Sequence, residues 1–252
     1  MAWHAQQTGG YNLDSNEAKE NANEVAAIFS GEGFSLLAYS AICGAFQQEC
    51  SMNPWQWEFG PPEPSYNIDP NDGYGLPQFT PSNGPSGYIG VANTLGDAQI
   101  NANYSPNFSD INGTPNDGAS QCYFMARYHM ADADYGWFTS IAQHYQQYLE
   151  LYISSADAYA AVNMPLSNFI SSLDSFSNPY SIDAMIGAFV ACYLRPSESV
   201  IRDYFGSTYL TYARWYKAYF EGHPPEPPTP PTPVFTSTSK IKPWWYTPFL
   251  RR

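Results

Sequence analysis

The fold is decided by Ala38-Tyr-Ser-Ala-Ile-Cys-Gly-Ala-Phe-Gln-Gln-Glu49, an apolar stretch that ends in a carboxylate and is followed at once by Cys50-Ser-Met-Asn53-Pro54. Ser35 is a suitable N-cap, so the pattern predicts a helix over residues 35–50 that Pro54 ends. The residues that precede Glu49 by three, four, seven and eleven positions share its helical face: Phe46, Ala45, Ile42 and Ala38. The carboxyl of Glu49 is therefore expected to point inward, although a helix-end glutamate can instead face water.

A partly buried carboxyl at the C-terminal end of a helix is a candidate for acid–base chemistry. Burial disfavours its ionised form, and the negative end of the helix dipole does the same. Both effects predict a raised pKa for Glu49. A glutamic acid that keeps its proton near neutral pH can serve as a general acid.

A second segment, Asp72-Gly73-Tyr74-Gly75-Leu76-Pro77-Gln78-Phe79-Thr80-Pro81, is a glycine-punctuated, hairpin-like stretch with one amide, Gln78. Glu49-Cys-Ser-Met-Asn53-Pro54 and Gly75-Leu-Pro-Gln78 resemble the E-S-x-x-N-P and G-L-x-Q motifs of the lysozyme-like superfamily, which includes lytic transglycosylases and goose-type lysozymes. Three further stretches resemble the phage tail lysozyme family: Trp3 to Gly9-Gly10-Tyr11, Ser15-x-Glu17-Ala18-x-x-Asn21-Ala22, and Phe189-x-x-x-Tyr193-x-Arg195-Pro196. The resemblance spans about residues 1–220.

The chain departs from the family pattern at two positions. Cys50 replaces the usual serine after the catalytic glutamate, and Leu194 replaces the usual acidic residue before Arg-Pro. A thiol is a much weaker hydrogen-bond donor than a hydroxyl, so the first change bears on how Glu49 is positioned. The second removes a charge that could serve either a structural ion pair or the site.

The resemblance implies cleavage of the β-1,4 bond between N-acetylmuramic acid and N-acetylglucosamine in peptidoglycan, with Glu49 as the proton donor. An inverting hydrolase also needs a carboxylate that activates water, and Asp72 is the candidate. Other carboxylates of the same segment are alternatives: Glu58, Glu63 and Asp69. Without a second carboxylate the muramic acid 6-hydroxyl can act as the nucleophile, as it does in lytic transglycosylases, and the sequence does not choose between these reactions.

Five residues near the motifs are candidate substrate contacts. Gln78 matches the cleft glutamine of the family and can hydrogen bond sugar groups, although it can equally bridge the loop backbone. Tyr74 and Phe79 flank it and can stack on sugar faces. Trp55 and Trp57 follow the predicted catalytic helix and can either bind substrate or lock the loop.

Composition and charge limit the possible functions. The 252 residues carry a net charge of −13 with 44% hydrophobic residues, so the chain can bury a core but has no basic footprint for nucleic acid. No apolar run approaches the roughly 20 residues of a membrane span. No secretory leader follows Met1, so synthesis in the host cytoplasm without a signal peptide is expected.

The spacing of cysteines and histidines indicates no metal site, and no metal or other cofactor is expected. Cys43 and Cys50 lie seven positions apart, about 10 Å along a helix, which is too far for a disulfide. Pairing of either with Cys122 or Cys192 stays open. Four buried thiols are preferred, because the host cytoplasm is reducing.

The sequence predicts a mainly α (α+β) fold with two regions. Residues 1–222 form a lysozyme-like domain, in which Asp14 and Glu17 make a capping box for a first helix that ends at Gly31-Glu-Gly33. Residues 51–118 are rich in Pro, Gly, Asn and Ser and predict a small β and loop subdomain around the cleft. Helical patterns return over 119–130, 137–153, 165–173, 181–194 and 197–220.

Residues 223–252 form a Pro-rich linker and a C-terminal tail. The linker, residues 224–233, predicts a semi-rigid polyproline spacer. The tail that follows carries Trp244, Trp245, Phe249, Arg251 and Arg252, residues of the kinds that dominate protein interfaces. It is expected to dock on other phage tail proteins; the alternatives are a terminus that folds back on the domain and a membrane-interface anchor.

The chain is therefore expected to act from the tail of a phage virion during cell entry. Two other functions remain open. One is a structural or binding protein of the tail whose catalytic site has decayed, and the other is a free endolysin for host lysis. The intact Glu49 and Gln78 argue against the first, and the lack of an evident wall-binding domain argues against the second.

Overall fold

Helices make up the regular structure of the described part of the chain. The computed structural model describes residues 3–5, 9–54, 75–78, 117–131, 133, 136–171 and 180–222, and no strand occurs among them. The α-helices are α1 (Asn16–Gly31), α2 (Leu36–Cys50), α3 (Asp117–Arg127), α4 (Thr139–Ala142), α5 (Gln146–Leu149), α6 (Ser155–Val162), α7 (Leu166–Ile170), α8 (Ile182–Ala188), α9 (Glu198–Tyr204) and α10 (Leu210–Phe220). Short 3₁₀ turns cover His129–Ala131 and Gln143–Tyr145, and π-helical turns extend α8 through Phe189–Leu194 and α9 through Phe205–Tyr209. The mainly α prediction is confirmed.

Two regions named by the sequence fall largely or wholly outside the described residues. The β and loop subdomain was expected within 51–118, of which the structure describes 51–54, 75–78 and the start of α3. The Pro-rich linker and tail, residues 223–252, lie outside as well. The division of the chain at residue 222 therefore stays a prediction.

Side-chain caps begin both N-terminal helices. Ser35 caps α2 as predicted, because its hydroxyl accepts a hydrogen bond from the Ala38 amide at 3.1 Å. The predicted capping box of Asp14 and Glu17 is wrong by one residue. Ser15 is the N-cap of α1, and its hydroxyl accepts from the Ala18 amide at 3.1 Å, because the cap must directly precede the first helical residue, Asn16.

The later helices follow the predicted pattern with two differences. The stretch 137–153 was expected to be one helical segment, but it divides into α4, a 3₁₀ turn and α5. Helix α6 was not predicted, although Ser154 marks its start by accepting a hydrogen bond from the Asp157 amide. The apolar side chains of α8 and its π-helical extension lie in the core, since all of these are buried: Met185, Ile186, Phe189, Val190 and Tyr193.

Helix α2 is the central element of the core, and nearly every side chain from Leu37 to Gln47 is buried. It packs against α1, α8 and α10. The contact with α10 is closest at Gly44, where an added Cβ would lie 2.5 Å from the Ala213 nitrogen and 2.6 Å from its Cα. Because only glycine leaves room for backbone at this distance, Gly44 fixes how closely the two helices approach.

We expect Gly44→Ala to lower the free energy of unfolding by about 1–3 kcal/mol, because the new methyl group meets the backbone of α10 and a backbone cannot rotate away. Chemical denaturation of the variant and the parent measures the difference.

The matched control is Gly31→Ala at the end of α1, where an added Cβ meets nothing within 4 Å. We expect this variant to stay within about 0.5 kcal/mol of the parent. Equal stabilities for the two alanine variants would contradict the close approach of α2 and α10.

Candidate active site

Glu49 lies in the last turn of α2 and is half-buried. The Tyr209 hydroxyl donates a hydrogen bond to its Oε1. Tyr209 is 2% exposed, so the carboxyl of Glu49 meets the buried side of the domain at this contact. The predicted inward placement of Glu49 agrees with this contact, whereas the predicted rise in its pKa stays a prediction.

Tyr209 is a fixed donor because its phenol stays protonated. Burial raises the pKa of Tyr209 well above its ordinary value, and the charge of Glu49 and the hydrogen bond to it raise the pKa further. A donated hydrogen bond stabilises the ionised carboxylate, which opposes the effects of burial and of the helix dipole. The contact also holds Oε1 in one orientation.

The chain leaves α2 through a left-handed turn. Ser51 and Met52 have φ values of 50° and 57°, a conformation that costs side chains other than glycine about 1–3 kcal/mol. The helix ends at Cys50, as predicted, four residues before Pro54. Two hydrogen bonds close the helix end, from the Ser51 amide to the Gln47 carbonyl and from the Met52 amide to the Phe46 carbonyl.

Side-chain amides fasten this turn, residues 51–54, to the N-terminal segment. Asn21 is fully buried, and its Nδ2 donates to the carbonyls of Met52 and His4, each at 2.8 Å. Asn53 is also fully buried and donates from Nδ2 to the Gly9 carbonyl at 2.7 Å. The Tyr11 amide donates to the Ser51 carbonyl at 2.9 Å. Gly9, Tyr11 and Asn21, which belong to the N-terminal stretches that resemble the family, therefore hold the end of the helix that carries Glu49.

One turn before its end, α2 carries a buried amide of its own. Gln47 donates from Nε2 to the Tyr11 carbonyl at 3.0 Å and accepts from the Tyr216 hydroxyl at 2.8 Å. The N-terminal segment and α10 are thereby tied to the same residue of α2. Gln47, two residues before Glu49, is thus held from both sides of the helix.

Cys50 occupies the position where the resemblance leads one to expect serine. Its thiol is 3% exposed and donates to the Phe46 carbonyl, with 3.1 Å between Sγ and oxygen. Burial raises the pKa of Cys50, so the thiol is protonated and unreactive at neutral pH. The Cys50 thiol therefore bonds a carbonyl in the last turn of its own helix. All four cysteines of the chain are free and buried.

Gln78 ends the second motif, a turn over residues 75–78. Gly75 and Gln78 both have positive φ, at 79° and 51°. The Gln78 amide nitrogens of backbone and side chain donate to the Gly75 carbonyl at 3.1 and 2.9 Å. Of the two predicted roles, bridging of the loop backbone is confirmed, and contact with substrate stays a prediction.

The sequence model of one family, Phage tail lysozyme, matches residues 20–203, which is more than half of the chain. The chain belongs to the phage tail lysozyme family. Family membership assigns it a lysozyme-like action on peptidoglycan and associates it with phage virions. No curated protein matches the chain.

Several candidate residues of this phage tail lysozyme lie outside the described residues. They are the candidate second carboxylates Asp72, Glu58, Glu63 and Asp69, and the candidate sugar contacts Tyr74, Phe79, Trp55 and Trp57. Within the described ranges, no group of three metal-ligating side chains is close enough to hold an ion, and no helix is long and apolar enough to cross a membrane.

The second departure from the family pattern, Leu194, has a structural place. Leu194 is half-buried and packs against the core. The next residue, Arg195, has a φ of 52°, and its guanidinium lies 4.9 Å from the centre of the Phe138 ring. Burial lowers the pKa of Arg195. An apolar residue therefore fits position 194.

Sequence reasoning missed two residues of the site. Tyr209 lies 160 positions from Glu49, and no local pattern connects them. Gln121 is fully buried in α3 and bonds to both motifs, at Pro54 and at Leu76. A signal for Gln121 was present, because it is an amide that precedes Phe124 and Met125 by three and four positions on an apolar helical face.

We expect Tyr209→Phe to shift the pH dependence of activity in the phage tail lysozyme. Loss of the donor favours the protonated carboxyl of Glu49, and the general acid that the family resemblance predicts at this position works only while it is protonated. The alkaline limb of the pH–activity profile should therefore move to higher pH.

Wall-clearing assays at constant ionic strength across the pH range measure the shift. The control is Tyr148→Phe, which removes a hydroxyl that bonds the exposed Glu198. An unchanged alkaline limb in Tyr209→Phe would show that the phenol does not act on the catalytic proton.

We expect Cys50→Ser, which restores the residue usual in the family, to keep activity within about threefold and to cost about 1 kcal/mol of stability at most. A serine hydroxyl can donate to the Phe46 carbonyl as the thiol does. Initial rates and thermal melts test this. A large gain in activity would instead mean that the thiol holds Glu49 in a poor orientation.

Proposed function

We propose that this protein is a tail-associated muramidase that cleaves the β-1,4 bond between N-acetylmuramic acid and N-acetylglucosamine during cell entry. The observation that carries the proposal is the hydrogen bond between Tyr209 and Glu49 at the end of the buried helix α2. The protonated phenol holds the half-buried carboxyl in one orientation, as a group that donates a proton to bound substrate requires. Membership of the phage tail lysozyme family supports the choice of peptidoglycan.

The first step is proton donation. Glu49 gives its proton to the glycosidic oxygen, the bond from C1 of muramic acid to that oxygen breaks, and the 4-hydroxyl of N-acetylglucosamine leaves. Positive charge develops on the muramic acid ring as an oxocarbenium-like species. Glu49 becomes an anion at this point, and the hydrogen bond from Tyr209 stabilises that anion.

The second step decides the product. In hydrolysis, a water attacks C1 and gives its proton to a second carboxylate, for which we propose Asp72, leaving a reducing end. In the transglycosylase alternative, the 6-hydroxyl of the same muramic acid attacks C1 and returns its proton to Glu49, leaving a 1,6-anhydro ring. No second carboxylate is needed in that case.

Substrate binding is assigned to the residues that follow Glu49 and surround Gln78. Gln78 is proposed to bond sugar amide or hydroxyl groups, Tyr74 and Phe79 to stack on sugar faces, and Trp55 and Trp57 to line the approach. The net charge of −13 opposes attraction to anionic wall polymers. Docking of the C-terminal tail on other phage tail proteins would let the virion carry the enzyme to the cell wall, so attraction by charge is not needed.

Two other functions remain as alternatives. A decayed structural protein of the tail would keep the fold without cleavage, and a free endolysin would cleave but be absent from virions. Detection of the protein in purified virions, compared with late lysates, separates entry from lysis.

We expect Glu49→Gln to lower cleavage of purified peptidoglycan by about 10²-fold or more, because glutamine keeps the shape and loses the proton. Mass spectrometry of the products separates reducing muropeptides from 1,6-anhydro products. The control is Glu150→Gln, which removes an exposed carboxylate at the C-terminal end of another helix, α5. This variant should cleave like the parent.

The outcomes separate the alternatives. Reducing products that depend on Glu49 support a hydrolase and direct attention to Asp72, whereas anhydro products support a transglycosylase. A folded parent protein that releases no product from several wall types would overturn the proposed activity and favour the structural role.

A further inference from the structure

Gln121 of α3 connects the two motifs of the site through one side chain. Its Nε2 donates to the Pro54 carbonyl at 2.8 Å, and its Oε1 accepts from the Leu76 amide at 2.6 Å. The side chain is fully buried. Pro54 closes the turn that follows Glu49, and Leu76 lies in the turn that ends with Gln78.

The turn that contains Gln78 packs directly against the side-chain amide of Gln121. A Cβ added to Gly75 would lie 2.2 Å from Oε1 of Gln121 and 2.6 Å from its Cδ. Gly75 also has a φ of 79°. The glycine is therefore required twice, by its backbone conformation and by the close approach of Gln121.

The backbone groups that Gln121 bonds need partners because the surrounding residues are buried. Pro54 and Leu76 are both buried, and a buried carbonyl or amide without a partner costs about as much as a lost hydrogen bond. One side chain that presents a donor and an acceptor satisfies both groups together. Neither a carboxylate nor an apolar side chain of the same length can do so.

We propose that Gln121 is a positioning residue for catalysis, which sets the turn of Gln78 at a fixed distance from the end of the Glu49 helix. This inference rests on the proposed function. In the proposed function, the general acid Glu49 and the sugar-binding amide Gln78 lie on separate segments. The buried side-chain amide of Gln121 bonds both segments. A shift of one segment relative to the other would misplace the bound sugar against the proton donor.

Two substitutions of Gln121 distinguish loss of the donated hydrogen bond from loss of both hydrogen bonds. Gln121→Met keeps the length of the side chain and removes both hydrogen bonds. Gln121→Glu keeps the acceptor for the Leu76 amide, and its carboxyl donates to the Pro54 carbonyl only when protonated. Asn23→Ala is the matched control, because it removes an amide that bonds Tyr219 away from both motifs.

The experiment measures kcat and KM on soluble, uncross-linked glycan strands, below the melting temperature of each variant and per folded molecule. We expect Gln121→Met to lower kcat/KM by about 10–100-fold. Gln121→Glu should lose activity to a similar extent once the pH is high enough to ionise its buried carboxyl. Its activity relative to the parent protein should recover as the pH falls, because protonation restores the donor. Asn23→Ala should match the parent.

Each result decides the inference. Values within about threefold of the parent for Gln121→Met, or a flat pH ratio for Gln121→Glu, overturn it. If Gln121→Met fails to fold, the pH ratio of folded Gln121→Glu gives the decision. An active parent, an inactive Glu49→Gln and an unchanged Gln121→Met refute the positioning role alone. An inactive parent refutes the proposed function, and the inference with it.

Discussion

The close approach of α2 and α10 at Gly44 is the constraint on which the site depends. Backbone atoms of Ala213 lie where a side chain of residue 44 would stand, so the backbones of the two helices meet directly at this point. At this separation the hydroxyls of Tyr209 and Tyr216 reach Glu49 and Gln47. A wider spacing would move both donors away from α2, and the buried end of that helix would lose them.

The second constraint is the need to satisfy buried backbone groups where α2 ends. A helix end inside a domain leaves carbonyls and amides that water cannot reach. This chain supplies side-chain amides for the purpose, since Asn21, Asn53 and Gln121 each bond a backbone group of the turn or of a segment beside it. A neutral amide brings a donor and an acceptor, so it holds the turn without placing a further charge near Glu49.

The fold was largely predictable because its signals are local. The caps Ser35 and Gly31-Glu-Gly33, and the apolar spacing of α2 and α8, depend on neighbouring residues only. Errors arose where a local signal was ambiguous. Asp14 and Ser15 are adjacent and chemically equivalent as caps, and the backbone conformation alone selects Ser15. The short, alanine-rich helix α6 carries a weak apolar stripe, and its stability comes from packing against α5 and α8.

The amino-acid sequence alone was enough to predict the helix that carries Glu49, the position of Glu49 at the end of that helix, the two motifs and the family. These follow from short-range spacing, which a linear chain records directly. The surroundings of Glu49 depend on the tertiary fold: the phenol that bonds it, the left-handed turn that follows it, and the two hydrogen bonds by which Gln121 joins the motifs. The partners in these contacts are separated by as many as 160 positions. Such pairs are brought together by helix packing and by the bonding of buried polar groups, and neither leaves a periodic pattern in the sequence.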